Sequence, residues 1–275
     1  MKTQQIGFIG GGNMASSLIG GLVSNGYPAD KVTVCDLDAE KLAYLGEAFG
    51  VNTTQDSQAL VSMVDVLVLS VKPQHMQPVV EAVQTAAQQK KPVVVSIAAG
   101  IRVEAIERWI GGDMPIVRCM PNTPALVKTG ATGLFANEQV SENQKDQVES
   151  LLRAVGVTVW LRTESELDAV TALSGSGPAY FFMMMEALEA AAIEAGLDQK
   201  TAQLLTQETA LGAAKMALES SESAGVLRQR VTSPGGTTER ALGVMNDRGL
   251  PSIFQEAVLA ARDRSIELSD ELGGN

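Results

Sequence analysis

The sequence predicts an α/β chain: a doubly wound, mostly parallel sheet over the first half, then an all-helical second half. Three observations carry this. Short apolar runs alternate with helical patterns from Ile6 to Leu161, the rhythm of stacked βα units. Two of those runs, Val64–Val71 (VDVLVLSV) and Pro92–Ala98 (PVVVSIA), are apolar almost throughout, as strands covered on both faces must be. After the polar stretch Thr163-Glu164-Ser165-Glu166 no strand pattern returns. This sets a domain boundary near 164, with residues 1–164 forming the sheet domain and 165–275 the helical one.

The first strand (Ile6, Phe8, Ile9) runs into Gly10-Gly11-Gly12, and a helical pattern opens at Asn13. Gly10, Gly12 and Ala15 spell G-x-G-x-x-A. In that pattern the first glycine permits a tight turn, the second lets backbone approach a pyrophosphate, and the small third residue lets helix and strand pack closely. Leu18, Ile19, Leu22 and Val23 continue the helix to Gly26. A strand at Val32–Val34 ends at Asp36, and a helix carrying Leu42, Leu45 and Phe49 stops at Gly50. The strand Val64–Val71 ends at Lys72-Pro73 and is followed by a helix over Met76–Gln89. Then come the strand Pro92–Ala98, a helix over Val103–Ile110 and a strand over Ile116–Met120. Thr132–Phe135 and Val157–Leu161 read as closing strands around a helix over Ser141–Val155. A glycine fingerprint on the first strand, turn and helix of such a series is the mark of a Rossmann-type dinucleotide domain.

Composition excludes several function classes. A net charge of −11 with no clustered Lys or Arg argues against nucleic acid. Anionic ligands must then be held by backbone N–H groups. No basic leader precedes a long apolar core, so no signal peptide is expected, and no apolar run is long enough to span a membrane. Cys35 and Cys119 each end an apolar run without a C-x-x-C neighbour, so both read as reduced core thiols and point to the cytoplasm. The single histidine, His75, lies beside Lys72-Pro73 in an expected loop. That rules out a histidine-rich metal site, and no metal is expected.

Ligands of such folds lie outside the carboxyl ends of the strands. Here those ends are Gly10, Gly11, Gly12, Asn13 and Met14; Asp36; Ser70, Val71, Lys72 and Pro73; Ala98–Gly100; and Met120–Thr123. Asp36 stands 24 residues after Gly12, close to the offset of an acid that binds an adenosine ribose and repels a 2′-phosphate. It reads as a ribose ligand favouring NADH, or else as a solvated turn residue. Lys72 reads equally as a counter-charge to phosphate or ribose and as a plain surface lysine.

The helical half begins with a helix over Pro178–Ala195 (PAYFFMMMEALEAAAIEA) that is apolar nearly all round. A domain this small can rarely enclose such a helix, so a second subunit is expected over one face. The Met183-Met184-Met185 run then packs an interface. Helices over Lys200–Leu218, Thr238–Asn246 and Ile253–Leu268 follow. Two glycine-rich stretches, Ser174-Gly175-Ser176-Gly177-Pro178 and Ser233-Pro234-Gly235-Gly236-Thr237-Thr238, read as loops entering helix N-termini. Each is an anion site of N–H groups and hydroxyls, or an elaborate N-cap.

Taken together, IGFIGGGNMA at 6–15, SVKP at 70–73, SIAAG at 96–100, RCMPNTPA at 118–125, SGSGPAY at 174–180 and SPGGTT at 233–238 resemble the pyrroline-5-carboxylate reductase family along essentially the whole chain. The resemblance implies reduction of L-1-pyrroline-5-carboxylate to L-proline by a nicotinamide cofactor. It implies cofactor contacts at Gly10–Met14, Ser70–Pro73 and Ile97, Ala98 and Ala99, and a substrate-carboxylate site at Ser233, Gly235, Gly236, Thr237 and Thr238, to which Ser176 is added. Thr238 is implied to hydrogen-bond the ring nitrogen. A homodimer through the helical domain is implied, with dimers assembled into larger rings and one subunit completing the other's site. Many members carry a small polar residue and then Arg or Lys where this chain has Asp36-Leu37, and they prefer NADPH. That departure leaves NADPH or NADH open. A β-hydroxyacid dehydrogenase is the rival enzyme reading, but its lysine has no counterpart between Gly177 and Gly196. A cofactor-binding regulator without turnover would be expected to lack the intact 233–238 loop.

Overall fold

The computed structural model describes residues 4–273. Met1–Thr3 and Gly274–Asn275, at the outer limits of the two expected domains, lie outside the described residues. Two compact units are present. One extends to Ser176 and resumes at Ala260; the other is Gly177–Leu259.

The first unit is built on an eight-stranded sheet. Its strands are β1 (Ile6–Ile9), β2 (Val32–Cys35), β3 (Asn52–Thr54), β4 (Val66–Leu69), β5 (Val93–Ser96), β6 (Ile116–Met120), β7 (Gly130–Ala136) and β8 (Gly156–Trp160). The order is β3-β2-β1-β4-β5-β6-β7-β8. All neighbours are parallel except β6 and β7. The helices of this unit are α1 (Asn13–Ser24), α2 (Ala39–Phe49), α3 (Ser57–Met63), α4 (Met76–Lys90), α5 (Val103–Ile110), α6 (Glu142–Arg153) and α7 (Glu166–Val170).

Alternation along each strand feeds two cores. Phe8, Val66, Val68 and Val95 pack on one face with Leu18, Leu45 and Leu152. Ile9, Leu67, Leu69 and Val94 pack on the other with Leu60, Val80 and Ile106. β1, β4 and β5 are buried at every position, so their apolar runs carry no alternation. Strand order reverses between β1 and β4, which opens the crevice where such sheets bind ligands.

The second unit holds α8 (Gly177–Glu194), α9 (Gln199–Glu219), α10 (Ala224–Arg230), α11 (Thr237–Asp247) and the first part of α12 (Leu250–Leu272). Only Gly177 of α8 is buried. Phe182 and Met183 are 64% and 73% exposed, so the apolar girdle read from the sequence stays open within one chain.

Several expectations need correction. β4 and β5 are shorter than the apolar runs that mark them, because flanking residues continue the hydrophobic layer outside the ladder. β3 and α3 were not foreseen: Asn52-Thr53-Thr54 is a polar edge strand, and α3 has seven residues. α10, also seven residues, escaped for the same lack of periodicity. Ser174-Gly175-Ser176 is not a loop. It belongs to a π-helical turn over Thr171–Gly175 between α7 and α8, closed by Ser176 N–H to the Thr171 carbonyl at 2.8 Å. Pro178 cannot return an N–H to the Ser174 carbonyl. The side chain of buried Asn122 donates to that carbonyl instead, at 3.0 Å, while its own oxygen accepts Ala131 N–H at 2.9 Å.

Glu164, where the sequence texture changes, is tied firmly to the sheet. Its Oε1 accepts Arg118 Nη1 at 2.5 Å and Val103 N–H at 2.7 Å. Arg118 is only 7% exposed, so this carboxylate neutralises a nearly buried charge and caps α5. Removing one partner of such a pair strands the other. Glu164→Ala should therefore destabilise the fold by about 3 kcal/mol, read as a lowered urea midpoint. An unchanged midpoint would show that water replaces the carboxylate without loss.

Candidate active site

The fingerprint glycines divide by what surrounds them. Gly10 has φ +102°, and a Cβ there would lie 2.6 Å from the Ser70 carbonyl oxygen. A Cβ at Gly11 would meet Leu45 Cδ1 at 2.9 Å, whereas one at Gly12 would meet nothing within 4 Å. Gly10 is thus demanded by the protein itself, while a side chain at Gly11 would require only the end of Leu45 to shift. Gly12 faces open space at the start of α1, where no side chain caps the helix and no acid occupies the first turn. Contrast α2, α3 and α9, whose first turns are capped by Asp38, Asp56 and Asp198. The N–H groups at Asn13, Met14 and Ala15 consequently form an uncapped positive pole. A dinucleotide pyrophosphate fits this cradle.

The neighbouring strand ends hold that turn in place. Gly10 N–H donates to the Cys35 carbonyl at 2.8 Å. Ser70 Oγ lies 2.8 Å from the Gly10 carbonyl and 3.0 Å from that of Ile9. Asp36 Oδ2 accepts Gly11 N–H at 2.7 Å, and Oδ1 accepts Asp38 N–H at 2.9 Å. Ser70 is therefore first a brace of the turn, and Asp36 is a brace whose remaining lone pairs are available to a ribose. Leu37 beyond it is 88% exposed, and Lys41 pairs with Asp38 at 3.4 Å. Burial, helped by the charges of Asp36 and Asp56, raises the Cys35 thiol, so no thiolate forms beside the turn at neutral pH.

Val71 and Pro73 are half-buried, and Lys72 is exposed. His75 is exposed in a short 3-10 turn, its N–H bound to the Lys72 carbonyl. Ile97 and Ala99 are half-buried and Ala98 is buried. The loop they form is buttressed by the end of α12. A Cβ at Gly100 would lie 3.3 Å from Leu272 Cδ1, and Arg102 pairs with Asp270 at 2.9 Å. Ser265 Oγ further ties α12 to Asp168 at 2.7 Å. An open groove of about 1100 Å³ lies at the opposite, amino-terminal end of the strands, lined by Gln4, Tyr27, Asp65 and Arg153 among others, away from all these loops.

In the second unit, Ser233–Thr238 forms a tight turn into α11. Gly236 is the N-cap, with Thr237 and Thr238 in the first turn. Gly235 has φ +72°, a conformation that glycine adopts freely. Gly236 N–H donates to the Ser233 carbonyl at 3.0 Å. Like α1, α11 opens with a glycine and has no side-chain cap. The two glycine-opened helices coincide with two of the three glycine-rich stretches that the sequence pattern singles out; the third, at 174–178, continues a π-helical turn.

Residues 164–268 match a family profile described as pyrroline-5-carboxylate reductase dimerisation, and residues 5–100 one described as NADP oxidoreductase, coenzyme F420-dependent. The chain is 49% identical over 273 residues to the pyrroline-5-carboxylate reductase of Pseudomonas aeruginosa, covering 99% of this chain and 100% of the relative. It belongs to the pyrroline-5-carboxylate reductase family. The solved reductase of Coxiella burnetii superposes with a TM-score of 0.94 at 48% identity, covering 98% of this chain and 99% of that one. The Plasmodium falciparum pyrroline carboxylate reductase, solved with NADP bound, gives 0.87 at 26% identity, covering 98% and 99%. Family membership makes the chain an NAD(P)-dependent oxidoreductase with a dimerisation region. Sequence reasoning missed the braces of this reductase-family fold. Asn122 and Glu164 sit in polar stretches whose partners lie far along the chain, and the partner of Glu239, described below, depends on loop shape.

The glycines supply a direct test. Gly10→Ala should destabilise the fold by at least about 2 kcal/mol, from positive φ and a backbone clash. Gly12→Ala should leave the urea midpoint unchanged yet weaken dinucleotide binding, measured by quenching of protein fluorescence. Equal loss of stability in both variants would show that open space at Gly12 is not what the glycine serves.

Proposed function

We propose that this chain reduces L-1-pyrroline-5-carboxylate to L-proline. The observation that carries the reading is the pair of glycine-opened, uncapped helix starts, one on the dinucleotide unit and one at SPGGTT, in a chain of this family. A bound reduced nicotinamide supplies a hydride to C5 of the imine. The residues of the chain do the rest. N–H groups of α1 hold the pyrophosphate. Within the 235–238 turn, the N–H groups at the start of α11 that have no partner inside the chain hold the substrate carboxylate, and the Thr238 hydroxyl accepts the N–H of the protonated ring nitrogen. The imine arrives as a cation at C5=N; hydride addition neutralises it, and the product amine takes its proton from water. No strong general acid is required, which suits a chain whose one histidine is exposed on a short turn. Orientation and charge placement, not proton transfer, are the contribution of the protein.

The exposed apolar face of α8 supports a homodimer through the helical unit, with a second copy completing the substrate site and dimers assembled into a larger ring. Two buried thiols, Cys35 and Cys119, suit a reducing cytoplasm. For the cofactor, Asp36 favours NADH. Its carboxylate is fixed by two backbone N–H groups, so it cannot swing away from an incoming 2′-phosphate.

Mixing the protein with the imine and NADH or NADPH should oxidise the cofactor, followed at the nicotinamide absorbance band. Silence with both cofactors would sink the reductase reading. Thr238→Ala should lower kcat/KM about ten- to a hundredfold, the loss of one hydrogen bond to a charged group. Wild-type kinetics in that variant would remove Thr238 from the mechanism.

The cofactor assignment has its own test. Asp36→Ser should raise the NADPH/NADH ratio of kcat/KM at least about tenfold, because a fixed like charge is removed. An unchanged ratio would mean that Asp36 only braces the turn.

A further inference from the structure

The turn proposed to hold the substrate carboxylate is already partly occupied by a carboxylate of the chain itself. Glu239, the third residue of α11, turns back so that its Oε2 accepts Gly235 N–H at 2.7 Å. With Gly236 N–H engaged by the Ser233 carbonyl, two of the N–H groups of the turn are satisfied internally, one of them by a negative charge. The donors left are those of the first turn of α11, at residues 237–239. An incoming carboxylate must settle there beside Glu239, at the same positive helix end that already stabilises Glu239. Glu239 is exposed, so salt screens its charge.

We propose that Glu239 is an affinity-determining residue, an internal carboxylate that competes with the substrate carboxylate for the turn at 233–238 and so raises KM. This rests on the assignment of that turn to the substrate carboxylate. The competing role is that of a brace holding Gly235 in its positive-φ conformation. The two roles predict opposite signs. Competition means that removing the charge tightens substrate binding; bracing means that removing the contact loosens it.

Glu239→Gln keeps an oxygen that can accept from Gly235 N–H and discards the charge. It should lower KM for L-1-pyrroline-5-carboxylate about three- to tenfold, leave kcat within about twofold, and leave KM for the nicotinamide cofactor unchanged, as expected when one nearby like charge is removed. The KM difference from wild type should shrink as salt rises from about 0.05 M to 0.5 M, because the charge is exposed and screened. L-Proline titrated by calorimetry should bind Glu239→Gln more tightly by a similar factor. That readout needs no turnover, so a wild-type protein without activity would sink the reductase reading while the carboxylate competition is still read from L-proline binding. An unchanged or higher KM in Glu239→Gln with unchanged L-proline affinity would overturn the proposal. A higher KM in Glu239→Ala alone, with Glu239→Gln like wild type, would overturn it in favour of the brace.

Discussion

The turn at Gly10 is pinned by the strands on either side of β1, and the placement of the cofactor cradle depends on that pinning. From β2 come the Cys35 carbonyl, which accepts Gly10 N–H, and the Asp36 carboxylate, which accepts Gly11 N–H. From the end of β4 comes Ser70, whose hydroxyl reaches the Ile9 and Gly10 carbonyls. No residue with a Cβ passes this point, because Ser70 backbone already occupies the space. The chain therefore leaves β1 in one direction, and α1 starts with its N–H groups pointing into the gap between β1 and β4. The positive pole comes from the unpaired N–H groups of the first turn of α1; the reversal of strand order opens the crevice beside it, and it stays open because Gly12 has no side chain to close it.

What was legible in the sequence follows the same division. The parallel strands are buried on both faces, so their apolar runs announce themselves, and the glycines and Ala15 are short-range requirements visible in one window. Residues whose duty is to satisfy a distant backbone group leave no such trace. Asn122 answers a carbonyl freed by Pro178, fifty-odd positions on, and Glu164 answers a buried arginine on β6. The π turn is a further case. Ser-Gly-Ser-Gly-Pro has the composition of a loop, yet Thr171 and Ser174 bond their hydroxyls back to the carbonyls of Leu167 and Val170. With Asn122 covering the Ser174 carbonyl, helical backbone continues through residues that would otherwise break it.

The helical unit was legible for the opposite reason. α8 is apolar on too many sides to be closed by one chain, and the structure leaves Phe181, Phe182, Met183 and Met184 in the open. Apolar area of that extent costs free energy unless covered, which is why a dimerisation region is the expected identity of residues that, taken alone, resemble an unfinished core.

Asp36 and Glu239 bring both sites under one principle. Each is a carboxylate hydrogen-bonded to a backbone N–H in a glycine-rich turn, and each turn opens a helix whose positive pole serves an anion. In both places the hydrogen bond shapes the turn, and on the proposed reading the charge repels part of what the turn attracts: a 2′-phosphate at Asp36, the substrate carboxylate at Glu239. Structural and selective roles are therefore coupled in one side chain. A neutral isostere that still accepts a hydrogen bond separates them, because geometry depends on the oxygen and selectivity on the charge. On the proposed assignment of both turns, selectivity is set less by added contacts than by which of its own anions the chain stations at its helix starts.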